Sequence, residues 1–172
     1  IGVLVPSLTN QVFAEVIRGI EQVTAPAGYQ TMIAHYGYSA ELEEQSIASL
    51  LSYNVDAIIL SENVHTDRAR KMLQTVSIPV IEIMDSVSPR IEQAVGFDNF
   101  EAARAMTKTM LDRGRTNIAY LAARMDERTR LKMAGYEHAM QEADKTPVTL
   151  QTEDASSFTL GAKLIGELLE KH

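Results

Sequence analysis

The sequence contains no cysteine, which excludes a disulfide framework, a thiolate-ligated zinc site and a cysteine nucleophile. It is short of cations. Sixteen Lys and Arg stand against twenty-three Asp and Glu, a net charge of −7, so these residues are not the main contact surface for DNA, RNA or an anionic membrane. No apolar run approaches the roughly 20 residues of a membrane span, and no stretch reads as a secretory signal. Neither a glycine-rich dinucleotide fingerprint nor a phosphate-binding loop occurs. The four histidines, His35, His65, His138 and His172, are scattered without metal-ligand spacing, so no metal site is expected. Flexible linkers and low-complexity segments are missing too. What remains is ordinary globular protein: 172 residues, 45% hydrophobic and 23% charged, enough for one substantial domain or two small lobes. The chain opens at Ile1 inside an apolar strand and closes at Lys171-His172 on an amphipathic helix. A piece of a longer protein is expected.

Short apolar strands alternate with amphipathic helices throughout. Ile1 to Val5 reads as a strand stopped by Pro6-Ser7. A helix follows with Val12, Phe13, Val16, Ile17, Ile20 and Val23 on one face, capped by Thr9 or Asn10 and ended by Ala27-Gly28. Tyr29 to Tyr36 is a second strand. The next helix starts at Ser39 with Glu41, Glu43 and Glu44, and its expected buried stripe is Leu42, Ile47, Leu50 and Leu51. Asp56 to Leu60 has apolar residues on consecutive positions, the mark of a strand covered on both faces. A helix over 66–75, strands at 78–83 and 94–97, a helix opened by Asp98-Asn99-Phe100-Glu101, a strand at 117–121, a helix from Glu127, a strand at 148–152 and a helix from Ser157 complete the chain. The fold class is therefore α/β, a parallel sheet with helices on both faces. The one plausible joint is Ala122-Ala123-Arg124, dividing a complete lobe (1–122) from an incomplete second lobe (123–172).

In open parallel sheets ligands bind at the carboxyl ends of the strands. That rule selects five loops: Pro6 to Phe13, Ser61-Glu62-Asn63, Met84-Asp85-Ser86, Phe97-Asp98-Asn99 and Ala123 to Lys132. In the first, Asn10 either grips a hydroxylated ligand or caps the helix, and Phe13 either packs on a ligand or belongs to the core. The fifth carries Arg124, Arg128, Arg130 and Lys132 at a strand-to-helix junction. This is either an anion site at a helix N-terminus or a solvated helix start with weak ion pairs. Glu82 and Asp85 form a possible carboxylate pair, yet no third group supports acid–base catalysis. Nothing reads as a catalytic set, so no enzyme and no cofactor are expected.

Several motifs occur in order: Ile1-Gly2-Val3-Leu4-Val5-Pro6, Val55-Asp56-Ala57-Ile58-Ile59-Leu60, Ile78-Pro79-Val80-Ile81, Val95-Gly96-Phe97-Asp98-Asn99, Arg113-Gly114-Arg115-Thr116-Asn117-Ile118-Ala119-Tyr120-Leu121 and Ala134-Gly135-Tyr136. Together they resemble the effector-binding core of the lac-repressor/gal-repressor (LacI/GalR) family over the whole chain. Leu8 to Val16, Ala34 to Tyr38, Gly96 to Ala103 and Asp126 to Thr129 look most like gluconate-operon repressors. The resemblance implies a type I periplasmic-binding-protein-like fold, in two lobes of which the second is incomplete here. It also implies a homodimer and cytoplasmic regulation of transcription through a helix-turn-helix headpiece that is absent from these residues. Operator DNA would be bound by that headpiece, and a small sugar acid or sugar by the core. The implied effector contacts are Asn10, Phe13, Ser61, Glu62, Asp85, Arg128 and Lys132. One departure stands out: most members carry arginine where this chain has Lys132, a point charge in place of a planar fork, which shifts the clamp role to Arg128. The homodimer is expected to use the outer faces of the first two helices, with Ile17, Ile20 and Ala48 near their edges. A periplasmic sugar-binding protein with the same fold is the alternative, and a sugar isomerase or kinase fragment lacks its motif.

Overall fold

The computed structural model describes residues 1–87 and 91–171; His172 lies outside them. The chain forms two compact units, Ile1–Phe97 and Asp98–His172. The change of unit falls between Phe97 and Asp98. The reason is strand pairing. The strand at Ala119–Ala123 does not extend the first sheet but pairs with Val148–Thr152 in a sheet of its own.

In the first unit, β1 (Gly2–Val5), β2 (Met32–His35), β3 (Ile58–Leu60), β4 (Val80–Ile83) and β5 (Gln93–Val95) form one parallel sheet in the order β2-β1-β3-β4-β5. Its helices are α1 (Gln11–Thr24), α2 (Ala40–Ser52) and α3 (Asp67–Thr75). Val3, Leu4 and Val5 are wholly buried because β1 is central and covered on both faces. Val3 and Val5 pack with Phe13, Ile17 and Ile20 of α1. Leu4 faces the opposite layer, with Ile47 and Leu50 of α2, Ala69 and Leu73 of α3, and Ile58, Leu60 and Val80 of the sheet. That alternation is the period of two expected of strand side chains.

Two helix faces differ from their sequence patterns. On α1 Phe13 is buried and Ile17 and Ile20 are half-buried against Val3 and Val5, while Val12 and Val23 are 51% and 75% exposed. Ile17 and Ile20 thus lie at the edge of the covered face. On α2 the buried residues are Glu43, Ile47 and Leu50, spaced i, i+4, i+7, and Leu42 is exposed. A carboxylate takes the place expected of a leucine. Asn10, Ser39, Thr66, Asp98 and Asp126 each cap a helix by accepting a backbone N–H of its first turn, and Ser157 accepts Leu160 N–H at the start of the last helix.

The second unit holds α4 (Asn99–Asp112), β6 (Ala119–Ala123), α5 (Glu127–Glu142), β7 (Val148–Thr152) and α6 (Phe158–Lys171). Helices α4 and α5 approach so closely that a Cβ on Gly135 would lie 2.1 Å from the Phe100 carbonyl oxygen. Only glycine fits that crossing. Next to it Tyr136 is buried, stacked on Tyr120 and packed with Ile118 and Met140. Its single hydroxyl proton lies between the carbonyls of Ile118 (2.8 Å) and Val148 (3.2 Å), and its oxygen accepts from Val148 N–H (2.8 Å). One side chain from α5 therefore joins the starts of both strands. Among the described residues, no helix is long and apolar enough to cross a membrane.

Candidate functional site

The carboxyl ends of β1, β3 and β4 are adjacent, because Leu4 is in register with Leu60 and Leu60 with Glu82. Buried polar groups gather at this edge: Ser61, Asn63 and Asp85. Ser61 is fixed to β1, its N–H and Oγ both donating to the Leu4 carbonyl (3.1 and 3.0 Å), with the Tyr36 hydroxyl at 3.4 Å. Asp85 accepts from Val87 N–H at 2.7 Å and sits beneath Gly96, where a Cβ would be 2.5 Å from its backbone nitrogen. Glu62 is half-buried. Asn10 uses Oδ1 to cap α1 (3.0 Å to Val12 N–H), and Phe13 is a core residue, 3% exposed. Asn63 is 7% exposed, and neither its Oδ1 nor its Nδ2 has a hydrogen-bond partner among the described residues. Left so, such an amide costs about 1–3 kcal/mol.

Five of the seven candidates thus belong to the first unit. Arg128 and Lys132 stand one turn apart on α5 of the second, Arg128 buried and Lys132 half-buried. Asp126 caps that helix by accepting Thr129 N–H at 2.8 Å. Before it the chain takes two consecutive left-handed residues, Arg124 (φ 69°) and Met125 (φ 44°). Arg130 Nε donates to the Met125 carbonyl at 2.7 Å, and Arg124 reaches Ser156. Met84 (φ 78°), after β4, and Tyr38 (φ 64°), after β2, are left-handed as well. Such residues cost of order 1–3 kcal/mol each and persist where the surroundings over-determine them. These four follow strands, whereas Asn54 (φ 53°) and Asp144 (φ 54°) follow helices.

One buried cluster escaped the sequence reading. The His65 side chain is wholly buried between Glu43 of α2, 3.1 Å from Nδ1, and Glu82 of β4, 3.2 Å from Nε2. The second oxygen of Glu82 accepts from Ile91 N–H at 2.6 Å. Burial is the largest influence on the ring and lowers its pKa, but the hydrogen bonds and charges of the two carboxylates together raise it to about 9. Glu82 thus bonds His65. The signal was present in two polar residues at interior positions, Glu43 on the i, i+4, i+7 stripe and Glu82 within Val80-Ile81-Glu82-Ile83.

A parallel sheet with buried polar groups along its carboxyl edge, followed by a second parallel α/β unit, defines an α/β ligand-binding protein of the periplasmic-binding type. The chain belongs to the family of periplasmic binding proteins and sugar-binding domains of the LacI family, which matches residues 1–172. It is 57% identical over 165 residues to the HTH-type transcriptional regulator GntR of Escherichia coli K12, covering 96% of this chain and 50% of that protein. It is 44% identical over 170 residues to the regulator IdnR of the same organism, covering 98% and 51%. The chain therefore spans about half the length of the curated relatives it matches. Among solved structures it resembles transcription regulator GntR from Chromobacterium violaceum (TM-score 0.92, 32% identity, 100% of this chain and 65% of that one). It also resembles a LacI-family regulator from Silicibacter pomeroyi (TM-score 0.94, 29% identity, 99% and 52%).

Proposed function

We propose that the chain is the effector-binding and dimerisation part of a cytoplasmic transcriptional repressor whose ligand is a small sugar acid such as gluconate. The observation that carries the ligand site is the set of buried polar groups at the carboxyl edge of the first sheet, above all the unpaired Asn63 amide. Burying such groups is unfavourable unless they are bonded, and ligand hydroxyls would supply the bonds. In this reading Ser61, Glu62, Asn63, Asp85 and the Asn10 amide serve hydroxyls, Arg128 and Lys132 serve the carboxylate, and Phe13 backs the first loop from the core. The regulator names of the relatives support a binding role over a catalytic one, and regulation over periplasmic transport. Operator DNA would be bound outside these residues, whose charge is −7. The effector then acts by population shift, moving the equilibrium only by as much as it prefers one arrangement over the other.

The homodimer face is proposed on the outer side of α1, α2 and the edge strand β2. Val12, Val23, Leu42, Tyr53, Met32 and Ile33 are all exposed there, and a groove of about 430 Å³ runs between β2 and α2. Sedimentation as a monomer at micromolar concentration would contradict it. For the ligand, calorimetric titration of the full-length protein with gluconate and with the neutral polyol of equal length is the test. Gluconate should bind and the polyol should not match it. Arg128→Ala or Lys132→Ala should each remove a charged hydrogen bond worth about 1.5–3 kcal/mol, roughly one to two decades of affinity. Equal binding of both ligands, or variants with unaltered affinity, refutes the anion site.

A further inference from the structure

Among the described residues, Glu43, His65 and Glu82 form a set of buried ionisable groups, with side chains 2%, 0% and 1% exposed. A neutral imidazole carries one N–H and one lone pair, yet here each ring nitrogen faces a carboxylate oxygen. Two ionised carboxylates around a neutral ring would set one lone pair against another. The geometry therefore requires one proton more than that state holds. We propose that the ring carries this proton and that His65 is a positioning residue, a charged clasp holding the Ser61–Thr66 loop against α2 and β4. This deepens the ligand-binding reading and rests on it in one respect: Ser61, Glu62 and Asn63, the residues so positioned, are those assigned to ligand hydroxyls.

The placement supports the assignment. The loop is tied at its start by the double bond of Ser61 to Leu4 and at its end by Thr66, which caps α3 and donates to Glu44. Between these anchors His65 is the residue that reaches both a helix and a strand. Neighbouring charges are engaged elsewhere: Glu44 with Thr66 and Arg68, Glu92 with Val80 N–H, Asp85 with Val87 N–H and Glu41 with Ser39. On α3, Asp67 and Lys71 are exposed and Arg70 is half-buried. Glu43 and Glu82 are the charged groups that bond the ring. Their combined pull, against burial, is what raises its pKa to about 9.

Heteronuclear NMR of the protein with labelled histidine reads both ring nitrogens directly. Both should be protonated at pH 7 and titrate near pH 9, a proton bound roughly 300-fold more tightly than by an ordinary histidine at 6.5. Glu43→Gln should weaken that proton at least tenfold. Amide-exchange protection over Ser61–Thr66 should fall at least tenfold in His65→Gln while β1 and β2 stay protected. Glu43→Gln is the substitute should the first variant not fold. Where gluconate binds, its affinity should decline from pH 7 to 10 in the parent and become flat in His65→Gln. A singly protonated ring at pH 7 overturns the clasp. Unchanged loop protection in a folded variant, or a pH-independent affinity in the parent, overturns its positioning role. The ring and exchange measurements need no ligand, so a protein that ignores gluconate would defeat the ligand reading and leave the clasp standing or fallen on its own.

Discussion

Gly135→Ala should destabilise the second unit even though it replaces the poorest ordinary helix former with the best. In an exposed helix interior that exchange gains about 1 kcal/mol. At Gly135 the added Cβ meets the Phe100 carbonyl oxygen at 2.1 Å, its carbon at 3.0 Å and the Arg104 nitrogen at 3.1 Å. All three are backbone atoms of α4, so no side chain can rotate away. Favourable contact lies near 3.5 Å or beyond, which forces α5 roughly 1 Å off α4 and opens its packing. Overpacking of this kind costs about 1–3 kcal/mol, and a backbone-to-backbone clash falls at the upper end. The net expectation is a loss of about 2 kcal/mol. Gly19→Ala is the matched control: it lies inside α1 with nothing within 4 Å of its added methyl, so it should stabilise by about 0.5–1 kcal/mol. Urea titrations of parent and both variants, followed by circular dichroism, measure the opposite shifts. A Gly135→Ala protein as stable as its parent would refute the steric argument, because the added methyl meets the α4 backbone at Gly135 and nothing at Gly19.

Tyr136→Phe should cost about 1–3 kcal/mol, since it leaves Val148 N–H without its acceptor and removes the one proton that the Ile118 and Val148 carbonyls share; an unchanged melting temperature would count against the hydroxyl as a joint. Stability should depend on alkaline pH through His65. Its folded pKa is raised, so its contribution is complete below 6.5 and is lost as pH climbs towards 9. The full span is about 3 kcal/mol at 1.36 kcal/mol per unit, and urea midpoints at pH 6 and 9.5, compared with those of Glu43→Gln, test it. Residues 1–172 should leave double-stranded DNA unshifted in a gel at moderate salt, because a net charge of −7 offers little counterion release; a specific, salt-sensitive shift would contradict the assignment of operator binding to another part of the protein.

The order of strands and helices, the parallel sheet and the caps were legible in the sequence because each is written locally, in runs of apolar residues and in Asn, Ser, Thr or Asp before a helix. The unit boundary was not. Ala119–Ala123 looks like every strand before it, and its partner is decided by what α4 and α5 bring together, which no local pattern states. The same limit hid the His65 clasp, whose carboxylates are 22 and 17 residues away in the chain. Spacing alone also overstated the apolar face of α1, because Val12 and Val23 share its helical period yet lie beyond the width the sheet covers. For the ligand loops the sequence placed residues at strand ends but not their employment. Ser61 and Asn10 hold the backbone together, while Asn63, one residue beyond Glu62, has an amide whose two polar atoms find no hydrogen-bond partner among the described residues.

The left-handed residues behind the strands bear on how this protein would evolve in the laboratory. Tyr38, Met84, Arg124 and Met125 hold a backbone shape that glycine or asparagine adopts more cheaply. A library screened for heat resistance alone should therefore enrich small, permissive residues at these four positions. Each gain would also loosen a bend in a loop that follows a strand. Selection for robustness and selection for ligand response would pull these codons in opposite directions, and variants recovered from the two screens should diverge there first.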